Sequence, residues 1–153
     1  MPGLRSAFLT TSYGRANERV QLTGSGPDLR PDWAAPGERW AILTAWNPGG
    51  RQAELAVNAA RQAALTREVH LWSPLPGWNG EGAWREDTLI VRGMPLRAAV
   101  TLGAQFGQAA VVWGVGRRAA LVWLGGGARV ERLWLRRAPG STAAAGCGYT
   151  AGL

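Results

Sequence analysis

The sequence predicts a single α+β domain, an antiparallel or mixed sheet carrying two helices, and three observations support this. Two continuous apolar runs, Trp40 to Trp46 and Ala109 to Val115, have the length and composition of buried strands. Ala53 to Val69 is built from strong helix formers without an internal Gly or Pro. Gly and Pro cluster between these segments, so the elements are short and closely alternating.

Taken in order, Ser6 to Tyr13 predicts a short strand and Gly24 to Gly37 a loop. Trp40 to Trp46 predicts the first core strand. Trp40, Ile42, Thr44 and Trp46 share one face, and Ala41, Leu43 and Ala45 make the other, which is small enough to seat a helix. Asn47-Pro48-Gly49-Gly50 closes the strand as a tight turn. After the helix at 53–69 come a short strand at His70 to Trp72, a Pro- and Gly-punctuated connection from Ser73 to Ala83, and a strand from Trp84 to Val91. Pro95 opens a second helix that runs to Phe106. Ala109 to Val115, Ala119 to Leu124 and Val130 to Arg136 form a meander, turned at Arg117-Arg118 and Gly125-Gly126-Gly127. Strand, helix, strand, strand, helix, strand is the order of the split βαβ, or ferredoxin-like, fold, here with a C-terminal hairpin extension. Residues 1–137 make the domain, and 138–153, small and glycine-rich, a mobile tail.

A domain of 153 residues holding nine Trp needs no disulfide or metal staple, since at this size about 70% of the unfolded surface is buried. The net charge is +7, and all 17 basic residues are Arg. The charge makes nucleic acid a candidate partner, but the Arg skew, beside abundant Ala and Gly, is what GC-rich coding produces rather than selection for one binding surface, and a basic composition supplies only the non-specific electrostatic term. The single cysteine, Cys147, forms no internal disulfide and no Cys-based zinc site. No apolar run approaches the ~20 residues that span a bilayer, and no basic segment followed by a long apolar one opens the chain. A cytoplasmic protein without membrane contact is expected.

Signatures of phosphate-binding loops, dinucleotide folds, zinc proteases and serine hydrolases are absent. The one histidine, His70, reads as a strand-edge residue, and no metal site or cofactor is expected.

The Thr44-Ala45-Trp46-Asn47-Pro48-Gly49-Gly50 segment carries a resemblance. Together with Asn58, Arg61 and Leu65 on the following helix, Trp84, Glu86 and Asp87 before the next strand, and Phe106-Gly107-Gln108 before an apolar strand, it resembles the bacterial domain-of-unknown-function family 3293. The early Thr11-Ser12-Tyr13 is similar to a Thr-x-Tyr near that family's start, so the resemblance runs from about Thr11 to Val115. Val57 departs from it, standing where the family often has an acidic residue, and nothing after Arg117 matches. The resemblance implies residues and no reaction.

Those residues form a physical pattern. Asn58, Arg61 and Leu65 lie at i, i+3 and i+7 on one helical face. Antiparallel pairing of the 40–46 and 84–91 strands brings Asn47, at the end of one, to Glu86, at the start of the other. The candidate binding set is Thr44, Trp46, Asn47, Asn58, Arg61, Glu86 and Gln108, a polar pocket near the end of the 40–46 strand. In a structural reading Asn47 caps a turn, Asn58 and Gln108 satisfy buried backbone groups, and Glu86 pairs with Arg61. In a functional reading the same groups recognise a small anionic ligand or a protein partner. An enzymatic alternative makes Glu86 a base on an anionic or nucleotide-like substrate, with Arg61 as its anchor. A third alternative is single-stranded nucleic-acid binding through arginines and a Trp stripe of Trp40, Trp46, Trp113 and Trp123.

Overall fold

Alternation along the apolar 40–46 run sorts side chains into two cores, one on each side of the sheet. In a computed structural model that describes residues 3–26, 30–127 and 129–139, β3 (Arg39–Leu43) is followed by α2 (Leu55–Val69) and preceded by α1 (Gly3–Thr10), β1 (Tyr13–Arg15) and β2 (Glu18–Thr23). Then come β4 (Leu75–Asn79), β5 (Glu86–Arg92), α3 (Leu96–Gln105), β6 (Ala110–Val115), β7 (Arg118–Trp123) and β8 (Arg129–Arg137). All neighbours are antiparallel, in one eight-stranded sheet of order β1-β2-β8-β7-β6-β3-β5-β4.

The sheet curls until its two edge strands nearly meet. Gly80 N donates to Ser12 O at 2.9 Å, and a Cβ on Gly77 would stand 2.6 Å from Gly14 O, so only glycine permits that approach. The remaining gap is bridged by Arg19, whose guanidinium donates to the carbonyls of Ser12 (3.0 Å) and Gly14 (2.8 Å) on one side and of Trp78 and Gly80 (3.0 Å) on the other. Arg19 also reaches Glu81 at 3.0 Å and lies 4.4 Å over the Trp78 ring. A rigid fork of donors is suited to such a seam, where a ladder is missing and carbonyls from both edges need partners.

Inside the curled sheet Tyr13, Val20, Trp33, Trp40, Ile42, Ile90, Leu121 and Leu135 form one core. Outside it, Ala41, Leu43 and Ala45 pack with Leu65 and Val69 of α2 and Ala99 of α3, and that second core extends to Ala120 and Val122 on β7. The small outer face of the 40–46 run thus seats helices. The helix α1 lies across one end of the barrel, with Phe8 edge-on to Trp123 at 5.5 Å, Arg5 paired to Glu131 of β8, and the Tyr13 hydroxyl donating to Phe8 O at 2.9 Å.

The ferredoxin-like expectation is overturned. An eight-stranded, nearly closed barrel with three helices among the described residues replaces a two-helix α+β sheet with a hairpin extension. Three segments account for the difference. Ser6 to Tyr13 is mostly helical: Leu4, Ala7 and Phe8 line the cavity side of α1, and the packing of the partly buried Phe8 and Leu9 against the barrel core overrides the β-preference of Phe and Thr. His70 to Trp72 is a 3₁₀ turn, and the strand lies at 75–79, inside the stretch taken as connection, where an edge position tolerates Pro76. The strands at 13–15 and 18–23 escape a pattern reading because Arg19 and Gln21 are polar yet buried. The expected Trp stripe does not form either. Trp40 and Trp123 point inward, whereas Trp113 lies on the outer face and donates to Met94 O at 2.8 Å. Beyond Pro139 the expected mobile tail, with Cys147, lies outside the described residues.

Candidate functional site

Where β3 ends, the chain must leave the sheet and reverse into α2, and its polar residues organise that exit. Thr44 Oγ1 donates to Asp87 O at 2.8 Å and accepts Trp46 N at 3.1 Å. Asn47 adopts a left-handed conformation (φ 47°, ψ 61°), one that Asn tolerates better than most residues. Its amide makes three bonds: Oδ1 accepts from Asn58 Nδ2 and from Ala53 N, each at 2.9 Å, and Nδ2 donates to Glu86 Oε2 at 2.6 Å. The buried Asn58 returns a bond through Oδ1 to Asn47 N at 2.9 Å.

Phe106-Gly107-Gln108 docks on this turn. Gly49 N donates to Gly107 O at 2.7 Å, and Gln108 Nε2 donates to Trp46 O at 3.1 Å and Phe106 O at 3.3 Å. Arg61 Nε donates to Ala45 O at 3.0 Å, and its Nη2 to Phe106 O. The expected Arg61–Glu86 ion pair is therefore absent: Arg61 is spent on carbonyls that the irregular 45–47 and 106–108 segments leave without strand partners, and Glu86 makes no ion pair among the described residues.

Glu86 begins β5 on its inward face and looks into a cavity of about 400 Å³ at the barrel end. Phe8, Ile42 and Val112 supply apolar walls; Thr44, Asn47, Asn79 and Gln108 supply polar ones; α1 covers it. Burial pushes the Glu86 carboxyl above its ordinary value, with the Asn47 amide opposing part of the rise. Burial raises the Tyr13 phenol as well, and the charge of Glu86 adds to it. Asn79 Oδ1 and Trp46 Nε1 are buried there without a hydrogen-bond partner among the described residues. On the other side of the Asn47–Glu86 contact lies a second hollow beside Leu55 and the strongly exposed Trp84.

The seven candidate residues thus lie together around the 44–47 exit, but in two layers. Asn47, Glu86, Thr44, Trp46 and Gln108 line the cavity, while Asn58 and Arg61 sit behind and hold the turn. Sequence reading missed Asn79, Tyr13 and α1 as contributors. Only Tyr13, in the Thr11-Ser12-Tyr13 segment, left a signal there. It also missed Gln62, one residue after Arg61, whose Oε1 accepts Ala45 N at 2.9 Å. No group of three or more His, Cys, Asp or Glu that could hold a metal ion occurs among the described residues.

Fold and site together define a small antiparallel barrel with a polar, helix-covered mouth. Residues 43–111 match the model of the family described as Protein of unknown function (DUF3293), so the resemblance drawn from the Asn-Pro turn, the helical Asn and the Phe-Gly-Gln is shown over that span, and Thr11-Ser12-Tyr13 falls outside it. No curated protein matches the chain. Among the described residues no helix is long and apolar enough to cross a membrane.

Proposed function

We propose that the protein is a cytoplasmic binding domain whose mouth cavity takes a small, flat ligand bearing N–H donors, of the size of a nucleobase. The observation that carries this reading is the Glu86 carboxylate, half-buried in the cavity wall with a single donor, Asn47, among the described residues. A carboxylate so placed gains from further donors, because a buried acceptor left short of hydrogen bonds is costly. The apolar walls suit the body of a planar ring, and the orphan Asn79 and Trp46 atoms offer one further acceptor and one further donor. Binding has its test in titrations of Trp fluorescence with the five common nucleosides and with benzamidine. Saturable binding that weakens tenfold or more in Glu86→Gln is expected, and silence with every probe sinks the reading.

A second reading, Glu86 as a general base, is favoured by its place in the cavity wall and by the burial that raises its carboxyl above its ordinary value. Arg61 would not be the anchor of an anionic substrate, since its guanidinium is committed to Ala45 O and Phe106 O. Mass spectrometry of each bound nucleoside after prolonged incubation separates the readings: a product formed by the native protein and lost in Glu86→Gln supports catalysis.

A further inference from the structure

The nine-residue β8 alternates cleanly. Glu131, Leu133 and Leu135 face the barrel side of the sheet, and Val130, Arg132, Trp134 and Arg136 face outward. Register places Arg118 of β7 directly across from Trp134, with its guanidinium 5.0 Å over the indole, and Gln21 of β2 across from Arg136. Arg132 and Arg136 flank Trp134 two residues to either side, about 7 Å each way along the strand.

Two features set this face apart from the protein's generally basic surface. First, none of its arginines makes an ion pair among the described residues. The single carboxylate of β7 and β8, Glu131, lies on the opposite side and is held by Arg5, while Arg136 donates to the neutral Gln21 at 3.0 Å. Second, α2 and α3 pack over β3, β5 and β6 and their core reaches only as far as Ala120 and Val122, leaving Arg118, Arg132 and Arg136 exposed and Trp134 half-exposed.

We infer that the outer face of β7 and β8 binds single-stranded nucleic acid, with phosphates on Arg118, Arg132 and Arg136 and a base stacked on the Arg118–Trp134 pair. Guanidiniums bind phosphate oxygens in forked pairs, and an indole among them adds the sequence-tolerant stacking that single strands offer and duplexes withhold. Charge complementarity selects a polyanion, and the central ring selects one with exposed π-faces. This surface is separate from the mouth cavity, which Arg118, Arg132 and Arg136 do not line.

The test is fluorescence anisotropy of the full-length protein with a labelled mixed-sequence single strand, its duplex and labelled polyglutamate, at about 50 and about 200 mM salt. Expected are tightest binding to the single strand, loss of affinity with salt, and at least tenfold weakening in Arg132→Glu/Arg136→Glu. A control with the same change in net charge, Arg67→Glu/Arg97→Glu on the exposed faces of α2 and α3, should keep its affinity. All four positions are exposed, so both variants should retain the native melting temperature. Equal losses in the two variants would overturn the inference in favour of diffuse charge. Equal or tighter binding of duplex or of polyglutamate would overturn it too, as would no binding at the lower salt.

Discussion

Asn47 and Asn58, eleven residues apart, are joined twice, by Asn58 Nδ2 to Asn47 Oδ1 and by Asn47 N to Asn58 Oδ1, each at 2.9 Å. The pair fixes the turn that aims Asn47 Nδ2 at Glu86. Asn58→Ala leaves the partly buried Asn47 N–H without its acceptor and Asn47 Oδ1 short of a donor, and a loss of about 1–3 kcal/mol is expected in urea unfolding. A loss under about 0.5 kcal/mol would show that water replaces the side chain at no cost.

Glu86 makes stability depend on pH. Its folded-state pKa is raised above the ordinary 4.5, so in the interval between those values the native state holds more protons than the unfolded one. Stability therefore falls as pH rises through that interval. Glu86→Gln has no proton to lose there, so its stability relative to the native protein should rise from pH 4.5 upward and then level off. Urea midpoints of both proteins across the interval check this; a constant difference contradicts it.

Arg19 closes the barrel seam through four carbonyls and Glu81. Arg19→Lys keeps the charge but not the planar fork, so it should recover little of the roughly 3 kcal/mol or more that removing a buried charged partner costs. Hydrogen exchange at the Gly80 amide, which donates to Ser12 O across the seam, should accelerate selectively. Unchanged exchange there would mean that the edges hold without the clamp.

Gly114 gives Trp40 its place. A Cβ at 114 would stand 2.3 Å from Trp40 Cζ2 and 2.4 Å from Arg118 O. Gly114→Ala should destabilise by about 1–3 kcal/mol through overpacking. It should also shift the Trp fluorescence as Trp40 loses its 2.9 Å bond to Gly116 O.

The elements were legible where burial follows a simple period. The 40–46 and 109–115 runs, the helix formers at 53–69 and the Pro95 boundary all mark elements that the structure contains. Antiparallel pairing of β3 with β5 was enough to bring Asn47 toward Glu86. The Arg61–Glu86 pairing failed because opposite charge on neighbouring elements ignores the competing demand of unpaired backbone carbonyls.

The sequence by itself determined which segments are strongly apolar, where the turns lie and which polar residues cluster at the 44–50 exit, since these follow from side-chain period and turn chemistry within a few residues. Tertiary structure alone decided that the sheet curls. Closure depends on Gly14 and Gly77 approaching across more than sixty positions and on a buried Arg19 that reads locally as a surface charge. It decided as well that Ser6 to Thr10 is helical, because the preference of those residues yields to the apolar barrel end they cover. Long-range contacts of this kind leave no periodic trace in the chain, and they set the mouth in which Glu86 lies.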